Sequence, residues 1–266
     1  MSKIREKFIE LEAKNQKALI SYIMVGFPDE ESTMTTVRGL LKGGVDIIEV
    51  GFPFSDPLAD GPVIQNASTV SLEKGTKINK FFNIVKKIRK ETDIPLVLMT
   101  YTNILYHKGY AKFISDAKKV GIDGFILPDM SIEESDEYLR AAKNNADTIF
   151  LISPNTNKAR IEKIAEVSSG FLYLVAVYGT TGIKTGVKKY TVNAIKDIKK
   201  QTKGRIPLAV GFGVSTPEDV KKYINAGADA VIVGSAYLKL IEKTNKNQLE
   251  SKITTFTKSL KKQTIL

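Results

Sequence analysis

The chain has 266 residues with 42% hydrophobic and 26% charged side chains, ordinary globular usage, and that length fits one (β/α)8 barrel of roughly 250 residues or two smaller domains. It has no Cys, no Trp and one His, which excludes disulfides, thiolate nucleophiles, Cys-ligated metals and any site that needs two imidazoles. Lys and Arg number 40 against 29 acidic residues, a formal charge of +11, yet only six of the 40 are Arg; lysines in helical runs such as 86–90 and 196–200 suit solvated faces better than the Arg-and-aromatic stripe of a nucleic-acid reader.

The amino-terminal segment MSKIREKFIELEAKNQK mixes both charges without an apolar block, unlike a signal or an anchor. No later apolar run approaches the about 18 residues of a membrane span. The expectation is a soluble, cytoplasmic protein with neither membrane nor nucleic acid as partner.

In chain order, eight short runs rich in Val, Ile and Leu stand at 18–26, 45–51, 94–101, 124–129, 148–153, 171–177, 206–213 and 229–236. Helix-like amphipathic stretches lie between them at 34–44, 78–91, 110–121, 133–145, 160–169, 192–202 and 216–227. Boundary marks agree: Ser215 or Thr216 precedes Pro217 and Glu218, and Gly43, Gly121 and Gly227 follow the last apolar turn of their helices. Strands apolar on both faces and alternating with helices, with no linker, predict one α/β domain over 1–266. Eight units favour a closed (β/α)8 TIM barrel over an open doubly wound sheet. The segment 52–66 is long for a connection between strand and helix, and long connections are commonly functional.

In such a barrel the carboxyl ends of the strands hold the site. Glu49 stands near the end of the second run, IIEVG, and no run contains a Lys or Arg to pair with it. Desolvation there raises a carboxyl toward neutrality, as a general acid and base requires. The following loop, FPFSDPLADGP, adds Asp56 and Asp60, which either make turns beside Pro and Gly or complete an acid/base constellation. Glycines recur at the mouth: Gly179 and Gly182 after the sixth run, Gly211 and Gly213 at the end of the seventh, and Gly234 with Ser235 at the end of the eighth. Backbone N–H groups at such turns suit a phosphate, so phosphate-binding loops are expected after strands six to eight. No lysine sits inside a run to form a Schiff base, and no cluster of His and carboxylates suggests a metal-held enolate. Carboxylate proton transfer on a phosphorylated substrate remains, with no metal site, and His107, in the loop after the third run, reads as structural or exposed.

These residues together, IIEVGFPFSDPLADGPVIQNA (47–67), YLVAVYGTTG, VGFGVSTPEDV and VIVGSA, resemble the tryptophan synthase alpha subunit family in order and over nearly the whole chain. The resemblance implies retro-aldol cleavage of indole-3-glycerol phosphate to indole and glyceraldehyde 3-phosphate, with no cofactor in this chain. It assigns Glu49 as the acid/base at indole C3 and the glycerol hydroxyl, Asp60 as the partner of the indole N–H, and Tyr173 as a supporting tyrosine. Gly182, Gly211, Phe212, Gly213, Gly234 and Ser235 fall at the phosphate end. Tyr22, Ile64, Met99 and Tyr101 match the indole pocket, and Thr181 matches a loop residue that closes on the catalytic aspartate. Asp56 falls on the loop that meets the partner, a beta subunit carrying pyridoxal phosphate in an alpha2beta2 heterotetramer that receives indole and raises alpha activity.

Two places depart from the family pattern: Val177 stands where many relatives have Arg, and Asp129 is followed by Met130 and Ser131 where many have a Pro. The alternatives that remain open at this point are a stand-alone indole-releasing lyase, another phosphate-sugar barrel, and a basic nucleic-acid-binding module.

Overall fold

The computed structural model describes residues 1–175 and 189–266. Its strands are β1 (Ala18–Met24), β2 (Ile47–Gly51), β3 (Leu96–Met99), β4 (Gly124–Ile126), β5 (Asp147–Ile149), β6 (Leu151–Ile152), β7 (Leu172–Val175), β8 (Leu208–Gly211) and β9 (Ala230–Val233). All their pairings are parallel, in the order β5-β4-β3-β2-β1-β9-β8-β7-β6. Nearly every strand residue is buried, which is why the runs are largely apolar on both faces rather than alternating.

The fifth run was expected as one strand and is two. Its first half pairs with β4, its second half with β7, and Phe150 between them accepts a bond from Tyr173 N–H at 3.1 Å. The two ends of the sheet are thus consecutive in the chain, and the sheet forms a nearly closed barrel.

The helices are α1 (Lys3–Ala13), α2 (Glu30–Gly43), α3 (Pro62–Glu73), α4 (Ile78–Glu91), α5 (Thr102–Lys108), α6 (Tyr110–Lys119), α7 (Asp136–Ala142), α8 (Lys158–Val167), α9 (Lys189–Thr202), α10 (Pro217–Asn225), α11 (Ser235–Lys243) and α12 (Lys246–Lys261). Phe8 of α1 packs on Phe171, just before β7, so α1 lies at the amino-terminal end of the barrel. Thr216 caps α10 in a reciprocal box with Asp219, as its sequence predicts. At α2 the left-handed residue is Gly44, and Gly43 is still helical. The loop after β2 is shorter than expected, because Pro62 starts α3 with Pro in the first turn, where its missing N–H costs nothing.

Acids placed just before strands stitch the closed end. Asp46, Asp123 and Asp229 accept the N–H of Leu19, Leu96 and Leu208 on the neighbouring strands at 2.7, 2.9 and 3.0 Å. Their cations come from outside the barrel: Lys261 at 2.7 Å, Arg89 at 2.7 Å, and Lys17 with Lys199 at 3.0 and 2.5 Å. The opposite, carboxyl end of the strands is left free for chemistry. Among the described residues no helix is long and apolar enough to cross a membrane.

Candidate active site

Glu49 lies on β2 with its Cα paired to Tyr22 on β1 and Val97 on β3, so the Tyr22 and Glu49 side chains leave the sheet on the same face. Glu49 is fully buried, and neither carboxylate oxygen has a hydrogen-bond partner. Burial, reinforced by the charge of Asp60, pushes its pKa up to about 8.

Asp60 closes the loop after β2 and is 4% exposed. Tyr101 O–H donates to its Oδ2 at 3.0 Å, while Oδ1 is buried without a partner. Burial raises Asp60 to about 6, against the lowering effect of the Tyr101 bond. At neutral pH Glu49 therefore keeps its proton and Asp60 is ionised, a division of two neighbouring carboxyls into acid and anion by environment alone.

The loop is held at both ends. Ser68 of α3 accepts from Phe54 N–H and donates to Phe54 C=O, both at 2.8 Å. At the other end Tyr101 Oη accepts Ala59 N–H at 3.0 Å, and its ring stacks on Phe54 at 5.0 Å. Between these anchors Ser55, Asp56 and Leu58 are exposed.

Two glycines admit two tyrosines. A Cβ on Gly51 would stand 2.2 Å from the Tyr22 hydroxyl, and one on Gly211 would stand 2.2 Å from the Tyr173 hydroxyl. In each case the glycine lies two residues beyond the tyrosine's partner on the next strand. Both phenols are buried and feel Glu49 and Asp60, and burial followed by those charges holds them well above the ordinary phenol range. They remain O–H donors throughout the working pH range.

The expected phosphate residues sit at the same end. Gly211 ends β8 and is followed by Phe212 at φ +66° and Gly213 at φ +78°. A left-handed phenylalanine is costly and persists only where its surroundings hold it; Phe212 packs edge-on against Tyr173 at 5.9 Å. Gly234 precedes α11, whose first turn carries no acid and receives no side-chain cap, leaving N–H donors for an anion. Ile64 and Met99 are buried, and Ser235 is exposed. Thr181 and Gly182, like Gly179 and Val177, lie outside the described residues. Asp56 is on the loop apex, apart from the buried pair. His107 lies on α5 rather than in a loop, and is exposed. Among the described residues no three His, Asp or Glu side chains form a metal-holding group.

The structure thus brings Glu49, Asp60, Tyr22, Tyr101 and Tyr173 into one electrostatic unit. The sequence placed Tyr101 only as a pocket wall; its bond to Asp60 carries no local signal, since 41 residues separate the two. Ser68 and Phe54 were missed for the same reason, although Phe54 lies in a loop the sequence singles out.

The family model for the tryptophan synthase alpha chain matches residues 8–265. The tryptophan synthase alpha chain of Methanosarcina barkeri is 46% identical over 90% of this chain and 89% of its own length. That of Geotalea uraniireducens is 42% identical over 98% and 97%. Among solved structures, a crystal structure of tryptophan synthase from M. tuberculosis in an aminoacrylate-bound form superposes with a TM-score of 0.87 at 28% identity, covering 99% of this chain and all of the other.

Proposed function

This chain belongs to the tryptophan synthase alpha chain family, the lyases that cleave indole-3-glycerol phosphate, and we propose that Glu49 and Asp60 carry that cleavage here, within one barrel domain spanning 1–266. The observation that carries the assignment is the buried carboxyl pair, one held near 8 and the other near 6. Protonated Glu49 gives its proton to indole C3. Ionised Asp60, oriented by Tyr101, accepts the indole N–H and stabilises the positive charge that develops on the ring. Glu49, now a carboxylate, takes the proton of the glycerol hydroxyl beside the scissile bond. The carbon–carbon bond breaks, its electron pair returns to the ring, and indole and glyceraldehyde 3-phosphate leave with Glu49 reprotonated.

Tyr173 and Tyr22 border Glu49 and wall the indole pocket with Ile64, Met99 and Tyr101. The turn at Gly211, Phe212 and Gly213 and the α11 start at Gly234 and Ser235 receive the phosphate, joined by Gly182; Thr181 would close toward Asp60. The chain needs no cofactor of its own. Its partner is a beta subunit bearing pyridoxal phosphate, in an alpha2beta2 assembly acting in the cytoplasm. Asp56 and the 86%-exposed Leu58 on the loop apex, with the 70%-exposed Tyr106 on α5, suit the contact surface.

The test is turnover of Glu49→Gln and Asp60→Asn, each expected to fall by at least about a hundredfold with the fold intact, the scale of a lost acid/base group. Near wild-type turnover in either variant removes that residue from the mechanism.

A further inference from the structure

Asp129 stands just beyond β4, in a segment where this chain departs from its family's pattern, and the steps above give it no task. We propose that Asp129 is a positioning residue for Asp60, acting through Thr102 and Tyr101. The proposal rests on the assignment of Asp60 made above.

Asp129 Oδ1 accepts both the backbone N–H and the hydroxyl of Thr102 at 2.9 Å, and its Oδ2 lies 3.2 Å from the same N–H. Thr102 is the first residue of α5, and Tyr101 precedes it without a side-chain cap bond of its own. Tyr101 is too long to cap its own helix, and its hydroxyl is engaged elsewhere: it donates to Asp60 and accepts from Ala59. On the other side of Tyr101, Thr100 N–H is bonded to Ile126 C=O of β4 at 3.1 Å. The backbone of Tyr101 is therefore held on both flanks by one stretch of chain, Ile126 through Asp129.

That double hold fixes where the phenol points. The Tyr101 ring is 5% exposed and stacked on Phe54, and it reaches Asp60 by a single hydrogen bond. Small changes in the Cα direction are magnified at the hydroxyl, the far end of a rigid side chain. The Asp129 bonds are charge-assisted and so among the stronger of their kind, yet Asp129 itself is exposed. Removing it should disturb the aim of Tyr101 more than the stability of the barrel. A slackened Tyr101 bond leaves Asp60 with less to oppose its desolvation, so its proton is held more tightly and the acid limb of activity moves to higher pH.

The experiment compares Asp129→Ala, Asp129→Asn, Tyr101→Phe and the Asp129→Ala/Tyr101→Phe double variant. All are assayed for indole release from indole-3-glycerol phosphate in complex with the beta subunit, across pH 5 to 9. Asp129→Ala is expected to lower kcat roughly tenfold, short of the hundredfold that a 1 Å misplacement can cause, with KM within about twofold. Its acid limb should rise. Asp129→Asn, which keeps an acceptor for both Thr102 bonds, should recover most of the rate. The double variant should be no slower than Tyr101→Phe alone, the signature of two residues acting in series.

Multiplying losses in the double variant, an unmoved acid limb, or unchanged kcat in Asp129→Ala overturns the proposal. Should Asp129→Ala not fold, Thr102→Val removes only the hydroxyl bond and is read by the same cycle. Absence of indole from the wild-type complex would overturn the function itself, and is distinguished by that control.

Discussion

Glu49 is a fully buried carboxyl with no hydrogen-bond partner, so Glu49→Gln should change how stability depends on pH. In the folded protein it titrates near 8, against 4.5 for an unperturbed carboxyl. The folded state thus binds the proton more tightly than the unfolded state. Below pH 4.5 both states hold it and the group imposes no penalty. As pH rises toward 8 the unfolded chain ionises first, and stability falls; above 8 the full penalty, about 5 kcal/mol, remains. Between pH 5 and pH 9 the wild-type protein should lose about 4 kcal/mol through this group alone. Gln does not ionise and imposes no such pH dependence. Its buried amide adds a pH-independent cost of about 1–3 kcal/mol, which makes the slope with pH the informative quantity rather than stability at one pH. The assay is urea unfolding of both proteins at pH 5 and pH 9. With an m-value of about 3 kcal/mol/M, the wild-type midpoint should fall by about 1 M more than that of the variant. Parallel pH dependence in the two proteins would refute the reasoning, because it would mean that Glu49 is solvated and titrates as an ordinary carboxyl.

Gly51→Ala places a methyl group 2.2 Å from the Tyr22 hydroxyl and 2.6 Å from its Cζ. It should destabilise by about 1–3 kcal/mol, read by calorimetry, and Tyr22→Leu in the same background should restore the loss; an unchanged melting temperature would show that the ring does not rest on Gly51. Gly234→Asp puts a carboxylate at the start of α11 and should raise KM for the phosphorylated substrate at least about tenfold, with Gly234→Ala as the steric control. An unchanged KM would move the phosphate elsewhere. Arg89 donates to Asp123 and to the carbonyls of Gly121, Thr92 and Ile94. Arg89→Met should cost about 1–3 kcal/mol by removing the charged partner of the half-buried Asp123, while turnover per folded molecule stays at the wild-type value; a drop in that turnover would contradict the separation of the stitched end from the catalytic end.

The barrel was legible because strands buried on both faces leave apolar runs that helical spacing does not produce. Run boundaries were less so: Tyr101 and Asp129 continue an apolar or turn-like pattern yet lie beyond the strands, in the segments around the site. The break at Phe150 is a matter of which neighbour each half pairs with, which periodicity does not encode. Helix α3 escaped detection because the face it buries includes Ala67, Ser68 and Ser71, small or polar residues that look exposed. Those serines work as anchors: Ser68 holds the Asp60 loop, and Ser71 donates to Val25 C=O at 2.7 Å. Glu49 was legible as an acid near the carboxyl end of an apolar run with no Lys or Arg in it. The Tyr101–Asp60 and Asp129–Thr102 bonds were not, since barrel closure creates both from residues 41 and 27 positions apart.

The most direct test of the assigned chemistry is indole release from indole-3-glycerol phosphate by the purified chain, with and without the beta subunit. Slow release that rises sharply when the partner is added is the expected result. Fast release unchanged by the partner would contradict the assembly, and no indole under either condition would contradict the cleavage itself.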